Sequence, residues 1–268
     1  MKIGSQAHRT SAISSSNEDT ILVRGRDLCA ELIGRISFTD HTWLLITGQL
    51  PNDAQRRVFD ATLVAIAEHG LVPSVQASRM TLAAAPEALQ GAVAAGILGC
   101  GSVILGATQN AGHMLHDVVT RAGSAAVEAA AKEVLGDYRT VQRAIPGYGH
   151  PLHKTADPRV ARLFEVAAAV GCRGRYVEAA IAVERVLPDV MGKALAMNVS
   201  VAIPAVLLDA GFPPNALKGV PILARTASLL AHLLEEQARS IGFVLSHAGA
   251  AAIDYDGPAP DGFVRRDA

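Results

Sequence analysis

Apolar residues recur at helical spacing along most of this chain, and no segment keeps the alternation of apolar and polar residues that marks a β-strand. In the segment 54–69, Val58, Leu63 and Ile66 fall on one face of a helix, and Gly70 follows as a stop signal. Comparable patterns predict further helices over 37–48, 86–107 with a break at 99–101, 111–134, 158–170, 176–187, 201–210 and 216–241. The pattern therefore predicts an all-α fold.

Short polar signals fix two of the predicted helix ends. Ser37 and Asp40 have the spacing of a capping box, and Gly48 is placed to end the same helix. Asp157 followed by Pro158 is typical of an N-cap and a first helical residue. These signals predict one helix between Ser37 and Gly48 and another that begins at Pro158.

Other local signals mark breaks and terminal segments. Residues 10–19 are rich in Ser and Asn and predict an extended arm, and Pro188 is expected to end the helix over 176–187. The segment 254–268 contains prolines and acidic residues and predicts a solvated tail. No internal repeat is found at the periods of solenoid proteins.

The composition narrows the class of protein. The chain has 268 residues, of which 50% are apolar but only 4% aromatic, and its net charge is −1. Because it has no basic block, binding to nucleic acid is not expected. The three cysteines are scattered and no His, Asp or Glu cluster has ligand spacing, so neither a disulfide framework nor a metal site is expected.

Targeting and membrane signals are weak. The N-terminal segment 1–6 lacks the apolar core of a signal peptide. The longest uncharged apolar run, 91–107, contains five glycines and is of marginal length for a membrane span. We therefore expect a protein of the reducing cytoplasm that does not span a membrane.

The segment Gly147–Arg159 combines the residue types of a candidate site. Gly147 and Gly149 allow the backbone to bend sharply and a bulky ligand to lie against it. His150 follows them and offers a proton donor and acceptor near neutral pH. Arg159, in the first turn of the predicted helix, can bind a carboxylate through its planar fork. The combination favours acid–base chemistry on a large carboxylate ligand.

This segment resembles the signature of the citrate synthase superfamily, and the resemblance continues elsewhere. The segment 37–51 is similar to an early helix and turn of citrate synthases. The segment 67–70, with Ser74 soon after, resembles the segment of citrate synthases whose histidine binds the substrate carboxylate or hydroxyl. The segment 222–235 is similar to the late helix whose arginine binds a second substrate carboxylate. The order and spacing of these pieces match the family across most of the chain.

The resemblance implies a domain organisation. It implies a large helical domain from 1–111 plus 214–268 and an inserted smaller helical domain from 112–213, with the active site in the cleft between them. A homodimer is expected, with an interface built from segments such as 83–97. The chain is shorter than a typical citrate synthase, and its size is similar to that of the citryl-CoA lyase modules of this superfamily, including the lyase portion of ATP-citrate lyase.

The resemblance also implies roles for individual residues. His150 would act as the acid and base, while His69, Arg159 and Arg225 would hold substrate carboxylates. No tightly bound cofactor is implied, because coenzyme A enters as the thioester substrate. Contacts with coenzyme A are implied at four positions: Ile145, Gly147, Tyr148 and Asn198.

Two positions depart from the family pattern. Ile104 stands where citrate synthases have the histidine of the enolate side, a departure that lyase modules share. Ser200 stands where the family has its catalytic aspartate, and a serine hydroxyl removes a proton from carbon only if another base activates it. Possible substitutes lie on the helix after the break: His113, His116 and Asp117.

Three functions remain open at the level of the sequence. The first is retro-Claisen cleavage of citryl-CoA to acetyl-CoA and oxaloacetate, or the reverse condensation. The second is related chemistry on another oxo acid or acyl-CoA, for which Ser200 reshapes the pocket. The third is a relative that binds carboxylate and coenzyme A without turnover.

Overall fold

The computed structural model describes residues 10–101, 105–149 and 156–263. Within these ranges helices dominate and strands are confined to one short N-terminal sheet, which confirms the predicted all-α class. The α-helices of the described residues are α1 (Phe38–Thr47), α2 (Asp53–Ala67), α3 (Pro73–Ala84), α4 (Leu89–Leu98), α5 (Ala107–Ala122), α6 (Val127–Thr140), α7 (Pro158–Ala169), α8 (Arg175–Met191), α9 (Val199–Asp209), α10 (Gly219–Ala238) and α11 (Gly242–Ala251).

The predicted signals at the ends of α1 are confirmed. Ser37 Oγ accepts a hydrogen bond from the Asp40 backbone N–H at 3.0 Å, and Asp40 Oδ2 accepts from the Ser37 N–H at 3.1 Å. Gly48 adopts the left-handed region with φ of 81°, and its N–H donates to Leu44 O at 2.8 Å. The helix therefore begins and ends where local chemistry satisfies its terminal backbone groups.

Two helix predictions are wrong in extent. The segment 111–134 is divided between α5 and α6, because Gly123 takes a φ of 53° and turns the chain out of the helix. Pro188 lies inside α8, which continues to Met191 and is capped by Gly192 with a φ of 72°. Leu187, just before the proline, is fully buried, and packing of this face keeps the last turn helical.

The predicted N-terminal arm is part of a small antiparallel sheet. Its strands are β1 (Ser14–Ser16), β2 (Ile21–Val23) and β3 (Arg26–Asp27), in the order β1-β2-β3. Arg24 and Gly25 connect β2 to β3 with φ of 51° and 79°. Positive φ at both central residues matches the two-residue hairpin turn whose twist suits antiparallel strands. Strands of two or three residues are too short to show alternation in the sequence.

The described residues divide into two compact units. The α5–α9 unit comprises Met1–Ala65 and Ala107–Val220, and the α3–α4 unit comprises Ile66–Gly106 and Pro221–Ala268. In this partition the N-terminal 65 residues group with the middle of the chain. The division of the chain that the family resemblance implies remains a prediction.

Aromatic packing stabilises the α5–α9 unit. Trp43, Phe59 and Phe212 are buried together, with ring centroids 5.2 to 5.7 Å apart. Gln55 Nε2 donates to Ala210 O at 2.9 Å beside them. The contacts join α1, α2 and the segment after α9, which are far apart in sequence.

A buried ion pair stabilises the α3–α4 unit. Arg79 on α3 donates from Nε to Glu236 Oε2 at 2.6 Å, from Nη1 to Glu235 Oε2 at 2.8 Å and from Nη2 to Arg239 O at 3.0 Å. Glu236 also accepts from the N–H of Gly242 at the start of α11, at 2.8 Å. Burial alone would raise the pKa of Glu236, but a hydrogen bond from Ser240, together with those from Arg79 and Gly242, outweighs it and lowers the pKa to about 2.

One helical stretch of the described residues, Pro214–Ala238, is long and apolar enough to cross a membrane by length and composition. In its most apolar window 44% is buried inside the protein. A single stretch of this kind is weak evidence for a membrane span, because core helices of other proteins pass the same test of length and composition.

Candidate functional site

The glycine motif forms a backbone bridge with the segment before α9. The Gly149 N–H donates to Ala196 O at 2.7 Å, and the Asn198 N–H donates to Gly147 O at 2.9 Å. Gly147 has a φ of 85°, and a Cβ atom there would lie 2.4 Å from Val201 Cβ. This position therefore requires glycine both for its conformation and for the close approach of α9.

Asn198 fixes the carbonyl that directly precedes His150. Its Nδ2 donates to Gly149 O at 2.6 Å, and its Oδ1 accepts from the Ser200 N–H at 2.9 Å, which caps α9. Ser200 thus lies half-buried in the first turn of α9. Both ends of the Asn198 amide are engaged within the protein, and its contact with coenzyme A stays a prediction.

The side chains of Ile145 and Tyr148 are buried, each 7% exposed. The Tyr148 hydroxyl donates to Ala180 O at 2.8 Å on α8. Burial, together with the charge of Glu184, raises the pKa of Tyr148 well above its ordinary value. The phenol therefore anchors the segment 147–149 to α8. The predicted contact between Tyr148 and coenzyme A would involve its backbone and stays a prediction.

Asp157 connects the first turns of α7 and α9. Its Oδ1 accepts from Arg159 Nε at 2.9 Å, and its Oδ2 accepts from Arg159 Nη2 at 2.8 Å and from the Val199 N–H at 3.0 Å. The predicted N-cap is confirmed, because Oδ1 also accepts from the Arg159 N–H at 3.1 Å. Burial opposes ionisation, but these hydrogen bonds hold the pKa of Asp157 below its ordinary value.

The ion pair between Asp157 and Arg159 limits which guanidinium atoms of Arg159 can bind a ligand. Among the described residues its guanidinium pairs through Nε and Nη2, and both atoms face Asp157. The Arg159 side chain is 23% exposed, whereas that of Asp157 is fully buried. Arg159 can therefore meet a ligand carboxylate through its remaining edge, and its predicted binding role stays a prediction.

The predicted acid and base His150 and the departed position Ile104 lie outside the described residues. Of the possible substitutes, His113 and Asp117 are exposed on α5. His116 Nδ1 lies 3.0 Å from the Tyr176 hydroxyl, and the two rings stack. Within the described ranges no group of three or more His, Cys, Asp or Glu side chains is placed to hold a metal ion.

The α3–α4 unit carries the predicted residues His69 and Arg225. His69 is exposed and lies between Glu68 and Gly70, just after α2. Glu68 Oε1 accepts from the Gly70 N–H at 2.5 Å, and its Oε2 accepts from Ser228 Oγ at 2.5 Å. Through these bonds the Glu68 side chain links the turn that contains His69 to Ser228 on α10.

Arg225 is a buried cation, 3% exposed. In the part of the chain that the structure describes, neither its Nε nor its Nη1 has a hydrogen-bond acceptor. Burial lowers its pKa, while the negative charge of Glu68 opposes that change. Because a buried charge is costly unless it is paired, a guanidinium in this state is suited to bind a planar carboxylate.

Two residues on the same helix as Arg225, Ser228 and His232, have no role in the sequence-based prediction. His232 Nε2 lies 3.0 Å from Glu68 Oε2, close to the Ser228 hydroxyl that binds the same oxygen. Arg225, Ser228 and His232 are three and four residues apart, which places them on one face of α10. This spacing can be read from the sequence, but Glu68, the acid that binds Ser228 and His232, lies 160 residues or more away.

Comparison with known proteins covers most of the chain. Residues 53–242 match the family model described as citrate synthase, C-terminal domain. The citrate synthase of Heyndrickxia coagulans is 28% identical over 208 residues, which is 75% of this chain and 52% of that protein. The citrate synthase of Haloferax volcanii is 25% identical over 195 residues, 72% of this chain and 49% of that protein. The chain spans about half the length of these curated relatives.

Solved structures agree with this match. The citryl-CoA lyase of Hydrogenobacter thermophilus superposes with a TM-score of 0.84 at 29% identity, covering 95% of this chain and 97% of that one. The ATP citrate lyase of Methanothrix soehngenii, in complex with citrate and coenzyme A, has a TM-score of 0.76 at 20% identity and shows the fold. It covers 96% of this chain and 43% of that one. Because the family model matches more than half of its length, this chain belongs to the citrate synthase family.

Proposed function

We propose that the protein cleaves citryl-CoA, or a related hydroxyacyl-CoA, to acetyl-CoA and oxaloacetate, or catalyses the reverse condensation. The observation that carries the proposal is the buried guanidinium of Arg225, with two donors that have no acceptor in the described ranges. Such a group is suited to one carboxylate of a polycarboxylate ligand. The lyase direction is favoured because the citryl-CoA lyase of Hydrogenobacter thermophilus superposes on 95% of this chain with a TM-score of 0.84.

In the proposed reaction His150 removes the proton of the tertiary hydroxyl of citryl-CoA. The adjacent C–C bond breaks, its electron pair passes to the acetyl group, and oxaloacetate and the enolate of acetyl-CoA are formed. Protonation of the enolate carbon completes the reaction, and synthesis follows the reverse order. His150 suits this work because the pKa of an imidazole lies near the operating pH.

Two arginines and a histidine would orient the substrate. Arg225, Arg159 and His69 are proposed to bind its carboxylates, which fixes the reacting bond and can lower the barrier by several kcal/mol. Asp157 supports Arg159, since it holds one edge of the guanidinium and leaves the other to the ligand. The bridge between Gly147 and Asn198 would hold the loop that delivers His150 and receives coenzyme A.

A second candidate function follows from Ser200. Its hydroxyl stands at the start of α9, where the family resemblance implies a carboxylate, so the enolate has no evident proton donor or acceptor there. Loss of one stabilising group on the enolate costs about 100- to 1,000-fold in rate. This position supports action on another oxo acid or acyl-CoA, or binding of carboxylate and coenzyme A without turnover.

The proposal is tested by incubating the protein with citryl-CoA and measuring the acetyl-CoA released by chromatography. The wild type is expected to release acetyl-CoA, and His150→Asn to lose nearly all turnover. His153→Asn, three residues along the same segment, is the matched control and should retain it. Binding without release in the wild type, with release gained in Ser200→Asp, would support the non-catalytic alternative. Release from other hydroxyacyl-CoA thioesters alone would support a different substrate.

A further inference from the structure

We propose that Ser228 and His232 hold the Glu68 carboxylate away from Arg225, so that the buried guanidinium stays available to a ligand carboxylate. This inference rests on the proposed role of Arg225 as a carboxylate-binding residue. It makes Ser228 and His232 positioning residues, and Glu68 a competing anion inside the same site.

The hydrogen bonds of Glu68 account for both of its oxygens. Oε1 accepts from the Gly70 N–H at 2.5 Å, and Oε2 accepts from Ser228 Oγ at 2.5 Å. His232 Nε2 is 3.0 Å from the same Oε2, so this nitrogen carries the proton. Three donors therefore bind a carboxylate that has a cation within electrostatic reach, at Arg225, and forms no hydrogen bond with it among the described contacts.

Without these three donors, the Glu68 carboxylate is expected to form an ion pair with the Arg225 guanidinium. Its side chain is 54% exposed and free to change rotamer, whereas Arg225 is almost completely buried. A carboxylate and a guanidinium form one of the strongest hydrogen-bonded pairs in proteins when they meet edge to edge. Relief of an unpaired buried charge would add to that attraction.

Another arginine of this chain shows how a neighbouring carboxylate occupies guanidinium donors. The carboxylate of Asp157 binds Arg159 through both oxygens, and the pair occupies Nε and Nη2. If Glu68 bound Arg225 in the same way, it would occupy the donors that a ligand needs. The ligand would then have to displace Glu68. Its apparent affinity would equal its intrinsic affinity multiplied by the fraction of protein in which Arg225 is free.

Citrate binding to the full chain, measured by titration calorimetry, tests this inference. The release variant Ser228→Ala/His232→Leu is expected to bind citrate about tenfold more weakly than the wild type. Adding Glu68→Gln to the release variant should restore the affinity to within about threefold of the wild type, since a neutral amide does not compete for the guanidinium. A purely structural role of Ser228 and His232 predicts no such rescue.

The matched control is Ser240→Ala. It removes a hydroxyl that donates to the Glu236 carboxylate at 2.7 Å in the same unit, and it should leave citrate affinity unchanged. Glu68→Gln alone provides a second readout if the release variant folds poorly, and its citrate affinity should equal or exceed that of the wild type. Wild-type affinity in the release variant, failure of the rescue, or more than a threefold loss in Glu68→Gln would overturn the inference.

The two proposals fail in different ways. If the wild type binds citrate and Arg225→Met does not, the proposed role of Arg225 stands, and the release variant then decides the inference alone. If the wild type binds neither citrate nor citryl-CoA, the proposed function is refuted and the inference is refuted with it.

Discussion

Two arginines of the α3–α4 unit are buried to nearly the same degree but differ in their hydrogen bonding. Arg79 is 2% exposed and Arg225 is 3% exposed. Every nitrogen of the Arg79 guanidinium donates to an acceptor, namely Glu236, Glu235 and the carbonyl of Arg239. Nε and Nη1 of Arg225 have no acceptor within the described ranges.

This difference separates structural charge from charge kept for a ligand. A buried cation with all its donors satisfied connects the elements around it, as Arg79 connects α3 with α10 and the start of α11. A buried cation without partners costs free energy in the folded state, and a ligand carboxylate would remove that cost. Stability and binding should therefore respond in opposite ways to substitution of the two residues.

The largest expected effect on stability is at Arg79. Arg79→Met leaves the buried Glu236 without its cation, and we expect the free energy of unfolding to fall by about 3 to 5 kcal/mol. Urea denaturation followed by circular dichroism measures this. The matched control is Arg26→Met, whose pair with Glu31 is exposed and should contribute about 0 to 1 kcal/mol. Equal losses in the two variants would remove the distinction between Arg79 and a surface arginine.

The pH dependence of stability sharpens the same point. The pKa of Glu236 falls from an ordinary 4.5 to about 2 in the folded state. The unfolded chain therefore binds the proton first, so this contribution is complete above about pH 5 and is lost as the pH falls toward 2. We expect a loss of about 3 kcal/mol over that window, measured by urea denaturation at several pH values. Glu236→Gln should show a shallower dependence, and an unchanged one would contradict the assignment.

A smaller effect is expected at Asp157 in the α5–α9 unit. Asp157→Asn removes the charge that binds Arg159 and the N–H of Val199, and should cost about 1 to 3 kcal/mol. Thermal and urea unfolding measure it, with Asp53→Asn as control because the Asp53 side chain is 86% exposed. A loss no larger than that of the control would mean that Asp157 does not join α7 to α9.

The smallest expected effect is at Arg225. Arg225→Met removes a buried cation that has no hydrogen-bond partner at Nε or Nη1 in the described ranges, so the free energy of unfolding should change by less than about 1 kcal/mol or increase. The same urea denaturation as for Arg79 measures it. A loss comparable to that of Arg79→Met would show that Arg225 has a structural partner.

Helix ends that depend on neighbouring residues could be predicted from the sequence. The capping box at Ser37 and the N-cap at Asp157 are made within three residues, so their chemistry is readable locally. Pro188 misled the prediction because buried packing of α8 outweighs the local cost of a proline in its last turn. The turn at Gly123 was missed because the apolar pattern runs through it.

The candidate site was predictable in part for the same reason. His69, Arg159 and Arg225 stand in motifs, so the family resemblance marks them. The pairing of Glu68 with Ser228 and His232 joins residues 160 and 164 positions apart, and no local pattern reports it. The sequence also did not predict that Asp157 pairs with the guanidinium of Arg159. An aspartate before a helix has the same sequence pattern whether it caps the helix, forms an ion pair or does both.

The most direct test of the account is the affinity of citrate for Arg225→Met. Calorimetric titration of the wild type, Arg225→Met and the exposed control Arg185→Met compares them under one condition. We expect Arg225→Met to bind at least about 100-fold more weakly, a loss of about 2.7 kcal/mol, while Arg185→Met binds as the wild type does. Equal citrate affinity in the wild type and Arg225→Met would contradict the claim that this buried arginine is kept unpaired for a carboxylate.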